Sequence, residues 1–164
     1  MEERFCIPCV GAIIERTVGG ERCVLVQTRQ KEGGGDTNGK LEVVGGKIRE
    51  YEEIFEALRR EVWEETGLRL TAIRGEDGKT VNALHEATVQ SFEPFCITQN
   101  LSGAYAILLL TFLCEAEGEP LAQTDEATNI RWMPVTQLHD SVWNHPEDWF
   151  FMHVNELRKY TAQL

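Results

Sequence analysis

The segment GKIREYEEIFEALRREVWEETGL, from Gly46 to Leu68, constrains this chain more than any other part of it. Ile54, Ala57 and Leu58 recur at helical spacing and Gly67 is a helix-terminating residue, so a helix is expected from Tyr51 or Glu52 up to Gly67. At about 100° per residue, Glu61, Glu64 and Glu65 fall on roughly the same side as that apolar set. The inward face therefore turns from apolar to acidic within one helix. Glu61 lies three residues from Glu64 and four from Glu65, spacings at which like charges repel by roughly 0.2–0.5 kcal/mol. All three also sit at the helix end whose dipole disfavours anions. Helix stability alone does not select this arrangement. A solvated helix with Glu56, Arg60 and Glu64 as an alternating ladder tolerates it. A hard divalent cation, Mg²⁺ or Mn²⁺, accounts for it, because three repelling carboxylates become one oxygen coordination shell. Mg²⁺ also takes phosphate oxygens from a substrate, so such a site suits phosphorus chemistry.

The rest of the chain frames this helix with strands. FCIPCVGAIIE (5–15) and RCVLVQT (22–28) are apolar and partly β-branched, separated by the turn signal VGGE. The glycine-rich loop RQKEGGGDTNGK follows, and LEVVGG is a short strand running into a double glycine. After the helix come LRLTAI, the polar turn RGEDGKT, the alternating stretch NALHEATVQSF, and EPFCITQ. AYAILLLTFLCEAEG is a strand expected to be buried on both faces. NIRWMPV reads as a short strand, and PEDWFFMHVNELRKYTAQL as a closing amphipathic helix with Pro146, Glu147 and Asp148 at its start. These elements predict an α/β fold, a mixed sheet with helices on its faces, in one domain over residues 1–164.

Charge narrows the partners. A net charge of -11 argues against a nucleic-acid polymer as ligand, and an anionic ligand would need metal cations to bridge it to the protein. No long apolar run suggests a membrane span and MEERFCIPCV carries no signal-peptide pattern, so a cytoplasmic location is expected. The five cysteines fit reduced, mostly buried thiols. CIPC (6–9) resembles a redox motif, but it lies inside a strand pattern, where residues three apart face opposite sides. The four histidines show no metal-binding spacing. Phe5, Phe95, Tyr105 and Trp149 are the candidates for stacking on a base.

The carboxylate helix and the glycines before it resemble the Nudix box of the MutT-like hydrolases: G, five residues, E, seven residues, R-E-U-x-E-E-x-G-U, with U bulky and aliphatic. Gly46, Glu52, Arg60, Glu61, Val62, Glu64, Glu65, Gly67 and Leu68 fill every specified position. At roughly one in ten per fixed identity, the match arises by chance about once in 10⁷ placements. VLVQTR, GKLEVVGGK, EGEP and DEATNIRW extend the likeness over most of the chain.

The resemblance implies the Nudix α/β/α sandwich with a mixed β-sheet and metal-dependent hydrolysis of a nucleoside diphosphate linked to another group. It implies Glu61, Glu64, Glu65 and the backbone carbonyl of Gly45 or Gly46 as Mg²⁺ ligands, with Mn²⁺ as a substitute. It also implies Arg60 as the residue that orients neighbouring acids, Glu52 among them. The base that deprotonates water is Glu65, Glu64 or an acid outside the box, and Glu126 stands where many members place a further carboxylate. Arg29 matches a position that contacts substrate phosphate in MutT-like enzymes.

Val44 departs from the usual Pro-Gly-Gly, and Arg49 and Tyr51 replace an acid and a glycine, so Arg49 is free to pair with a phosphate or with Glu52. The early first strand lacks the added domain of many ADP-sugar hydrolases, which tilts the expectation toward a (d)NTP pyrophosphohydrolase releasing NMP and pyrophosphate. ADP-ribose or nucleotide-sugar hydrolysis, or nucleotide sensing without turnover, are the alternatives. The expected partner is a small-molecule nucleotide, and a homodimer is compatible with the family.

Overall fold

The computed structural model describes residues 2–164. Strand β1 (Ile7–Val18) is the axis of the fold. It pairs in parallel with β9 (Ile107–Glu117) along residues 7–15. Its other edge is shared: β4 (Val44–Lys47) takes residues 9–12, and β2 (Glu21–Arg29) takes residues 15–18. The sheet order is β10-β2-β1-β9-β5, with β5 at Arg69–Ile73 and β10 at Ala127–Pro134; β3 (Leu41–Glu42) pairs with β2 and β8 (Cys96–Gln99) with β9. β6 (Thr80–Leu84) and β7 (Ala87–Ser91) form a separate hairpin.

Alternation along β1 separates two cores. Val10, Ala12 and Ile14 pack with Phe55, Leu58 and Val62 of helix α1 (Ile54–Thr66) on one face. Ile13, with Val24 and Val26 of β2, packs on the other face against Leu138 and Val142 of α2 (Val135–Asn144) and Leu157 and Tyr160 of α3 (Phe151–Thr161). The result is the α/β/α sandwich with a mixed sheet that the sequence implies.

Three boundaries differ from the sequence expectation. α1 begins at Ile54, because the carboxylate of Glu53 accepts from the Glu56 N–H (2.9 Å) and acts as the N-cap. At its other end Gly67 adopts φ 72°, the left-handed conformation that glycine tolerates. Helix α2 follows NIRWMPV directly, and its brevity and lack of a side-chain cap left no start signal in the sequence. The closing segment is not one helix: a single 3-10 turn spans Pro146–Asp148, Trp149 and Phe150 run extended, and α3 starts at Phe151. The break is held by the core, since Trp149 is buried beside Leu41 of β3 and the Phe150 N–H donates to the Leu41 carbonyl (2.8 Å).

α1 is anchored by Phe55, fully buried and edge-on to Phe112 (5.3 Å between centroids) and Phe92 (5.9 Å). Replacing Phe55 with Ala is expected to cost about 3–5 kcal/mol of unfolding free energy, measured by urea denaturation.

Candidate active site

The acids of α1 separate into two groups, Glu61 and Glu64 on Arg60 and Glu65 on Gln27 and Lys31. Leu58, Val62 and Glu65 share the inward side, so Glu65 is carried into the protein at the helix end, where only 4% of it is exposed. Glu61 lies half-buried on the flank and Glu64 is exposed. Among the described residues, no three acidic, histidine or cysteine side chains gather closely enough to hold a metal ion. The shared coordination shell expected of Glu61, Glu64 and Glu65 is therefore not preassembled. The physical reason is charge: with cationic side chains at hand, Glu61 and Glu64 turn to Arg60 and Glu65 turns to Lys31.

Arg60 is the main partner. Its Nε and Nη2 donate to the two oxygens of Glu52 (2.6 and 2.9 Å), Nη1 donates to Glu61 (2.6 Å) and Glu64 (3.2 Å), and Nη2 also reaches the Lys47 carbonyl (3.1 Å). The hydrogen bonds from Arg60 hold the Glu52 carboxyl well below its usual value, at about 2. The backbone N–H of Arg49 donates to Glu52 (2.9 Å), while its side chain lies 3.7 Å from Glu64. Glu52 thus closes the loop between β4 and α1.

Gly46 is placed by β4 against β1, opposite Val10. A Cβ there would stand 2.1 Å from the carboxyl carbon of Glu61, so only glycine lets that carboxylate lie against the strand.

Glu65 meets a different set. Gln27 Nε2 donates to it (2.9 Å) and to Glu42 (3.1 Å), and Lys31 Nζ lies 3.2 Å from Glu65 and 2.8 Å from Glu126. Burial pushes the Glu65 carboxyl up to about 7, against the pull of Lys31. Burial alone would lower the Lys31 ammonium, but the charges of Glu65 and Glu126 outweigh it and raise it; the bond from Lys31 in turn lowers Glu126. Gln27 Oε1 is buried without a partner, and turning the amide over would set that oxygen against two carboxylates.

A cleft of about 310 Å³ opens beside this network, lined by Arg29, Lys31, Gly46, Tyr105 and Phe150 among others. Arg29 is buried rather than an ordinary surface arginine: Nη1 donates to Glu42 (3.0 Å), Nε to Thr37 (3.0 Å), and the guanidinium lies 4.3 Å from the Phe150 ring centre. Of the four aromatic candidates, Tyr105 lines the cleft; Trp149 is in the core, Phe5 is exposed, and Phe95 packs against the second core and Lys159. Lys31, Glu42, Gln27 and Phe150 escaped the sequence reading. A charged residue at an inward position of LEVVGG was the one available signal, for Glu42.

The donor chemistry fits a hard divalent cation. The Lys31 ammonium already bridges two carboxylates, Glu65 and Glu126, and Glu61 lies against Gly46, so oxygen donors face positive charge along one strip. Cys6 is exposed and Cys9 buried, and all five cysteines are free, as the strand setting of CIPC implies. No helix among the described residues is long and apolar enough to cross a membrane.

Comparison with known proteins agrees with this architecture. A family model described as NUDIX domain matches residues 7–154. No curated protein matches the chain. Among solved structures, the chain is similar to a MutT protein from Methanosarcina mazei (20% identity, TM-score 0.62, covering 99% of this chain and 98% of that one). It is also similar to the NUDIX domain of Shewanella oneidensis NrtR complexed with ADP ribose (14%, TM-score 0.67, 98% and 90%). A third is a Caenorhabditis elegans Ap4A hydrolase (12%, TM-score 0.55, 96% and 96%). At these identities the likeness is one of fold.

Two outcomes follow from the geometry. Gly46→Ala should displace Glu61 from the strand and weaken Mn²⁺ binding, read by electron paramagnetic resonance, by about 10-fold or more. Glu65 has a folded-state value near 7, above its ordinary 4.5, so its ionisation lowers stability progressively as pH rises through that window. Glu65→Gln should accordingly raise the melting temperature of the metal-free protein at pH 8 by several degrees and leave it little changed at pH 4.

Proposed function

Since the chain belongs to the Nudix family of hydrolases, which act on nucleoside diphosphate derivatives and generally use divalent metal ions, we propose that it is a Mg²⁺-dependent (d)NTP pyrophosphohydrolase releasing NMP and pyrophosphate. The observation that carries this reading is the position of Gly46, which lies against Glu61 on one side and lines the cleft on the other. Acid strip and cleft are thus contiguous, so a nucleoside seated in the cleft delivers its phosphates to the carboxylates. A cavity of about 310 Å³ is at the small end of ligand sites and suits one nucleoside rather than two.

In this reading Glu61, Glu64, Glu65 and the Gly46 carbonyl hold the metal. When bound, Mg²⁺ neutralises the bridging phosphates and lowers the pKa of water. Arg60 orients Glu61 and Glu64 and, through Glu52 and the Lys47 carbonyl, ties the loop after β4 to the helix. Glu65, buried at the helix end beside Lys31 and Glu126, is the proposed base that takes the proton of the attacking water on a carboxylate oxygen. Glu126 is the second acid at that junction, tied to Glu65 through Lys31. Arg29 keeps Nη2 without a hydrogen-bond partner among the described residues, leaving that donor for a substrate phosphate.

The test is product analysis with Mg²⁺ on a panel of (d)NTPs, oxidised nucleotides, ADP-ribose, nucleotide sugars and dinucleoside polyphosphates. NMP and pyrophosphate from (d)NTPs are expected, with turnover reduced about 10²-fold or more in Glu64→Gln. Cleavage confined to ADP-ribose or nucleotide sugars would replace the substrate class. Metal-dependent nucleotide binding without any turnover would make the protein a sensor.

A further inference from the structure

Beneath the cleft, away from the acid strip, lies a buried polar triad on α3 and β9. Glu156 is fully buried; one carboxylate oxygen is 2.6 Å from His153 Nδ1, and the other accepts a hydrogen bond from the Thr111 hydroxyl. His153 is itself only 4% exposed and lines the cleft. Its Nε2 has no hydrogen bond among the described residues, yet it is not one of the buried atoms without a partner: it keeps a solvent-accessible face.

Burying a carboxylate is costly unless its lone pairs are satisfied, and a leucine in place of Glu156 would pack α3 against the sheet without that cost. Thr111 holds one oxygen of Glu156, and the other holds the imidazole ring. A carboxylate accepts and does not donate, so Nδ1 carries the proton and, in the neutral ring, Nε2 presents a lone pair. The surroundings are aromatic and aliphatic apart from Arg29, whose guanidinium lies 4.3 Å from the Phe150 ring centre, and Glu42, to which Arg29 donates. Phe150 stands edge-on to His153 (5.7 Å between centroids), Tyr105 stands edge-on to Phe150 (5.9 Å), and Leu109 and Met152 complete this end. With Glu42 engaged by Gln27 and Arg29, the Nε2 lone pair is an acceptor left free among these aromatic rings, and it selects for a flat group with an N–H on its edge.

We propose that His153 is a specificity-determining residue that reads the edge of a purine base through Nε2, favouring purines that carry an amino group, adenine or guanine. Glu156 and Thr111 are positioning residues that fix its tautomer and orientation. The inference rests on the hydrolase reading only in treating the occupant as part of a substrate.

Neutral nucleosides test it without metal or turnover. Adenosine, guanosine and purine riboside, whose base has no N–H, are titrated into protein labelled with ¹⁵N-histidine. The His153 Nε2 resonance should move with adenosine or guanosine, and that nucleoside should bind about 10-fold more tightly than purine riboside. Adenosine against guanosine identifies the base. His153→Phe keeps the aromatic packing and should bind all three alike. An Nε2 resonance unmoved by every nucleoside, or a His153→Phe variant that keeps the 10-fold preference, would overturn the proposal. A role in packing alone would lower the melting temperature of the variant and leave the preference intact. If the hydrolysis panel shows no turnover while the titration behaves as expected, the hydrolase reading fails and the base-reading role stands.

Discussion

Arg60 distributes one guanidinium among Glu52, Glu61, Glu64 and the Lys47 carbonyl, and the geometry around the Nudix box depends on that distribution. Without it, Glu61 and Glu64 would repel one another toward the negative end of α1. The guanidinium is suited to this because it is always charged and presents several fixed donors, which an ammonium on a flexible stem does not. Its contacts also join separate parts of the chain, since Glu52 lies in the loop before the helix and Lys47 closes β4. The same ion pairs that neutralise the acids therefore set the distance between strand and helix across which Gly46 and Glu61 meet.

Lys31 plays the corresponding part on the inner side. Glu65 is carried inward by the same helical face that buries Leu58 and Val62, so its charge is desolvated by the packing that holds the helix in place. Lys31 and Gln27 compensate only in part, which is why the carboxyl stays near 7. Two acids on adjoining turns, Glu61 and Glu65, thus acquire different environments: one is half-buried and paired to Arg60, and the other is held inside, where burial raises its carboxyl.

The two faces of the sheet divide the work. The α1 face supplies the acid strip, and the face carrying α3 supplies the aromatic cleft and the His153–Glu156–Thr111 triad. β1 and β4 join them: Gly46 beside Val10 touches both. In the proposed reading, the group that is recognised and the group that reacts lie at opposite ends of one ligand.

The local arrangement was legible in the sequence wherever a short-range rule applied. The mixed sheet with helices on its faces, the carboxylate helix and its end at Gly67 follow from spacing and residue type, which act within a few residues, while the α/β/α sandwich and the acids around Arg60 were implied by the resemblance to the Nudix box. The start of α1 was displaced by a Glu53 cap that no standard pattern announced, and α2 was missed because a short uncapped helix depends on tertiary packing for its stability. Tertiary structure alone decided that Glu65 parts from Glu61 and Glu64, since that outcome turns on Lys31 and Gln27 approaching from β2 and the loop after it. It likewise decided that Arg29 is buried on Phe150, a residue 121 positions away in the chain, and that His153 is locked to Thr111 of β9 through Glu156. Contacts between residues so far apart depend on how the strands are ordered in the sheet, and no spacing along the chain records that order.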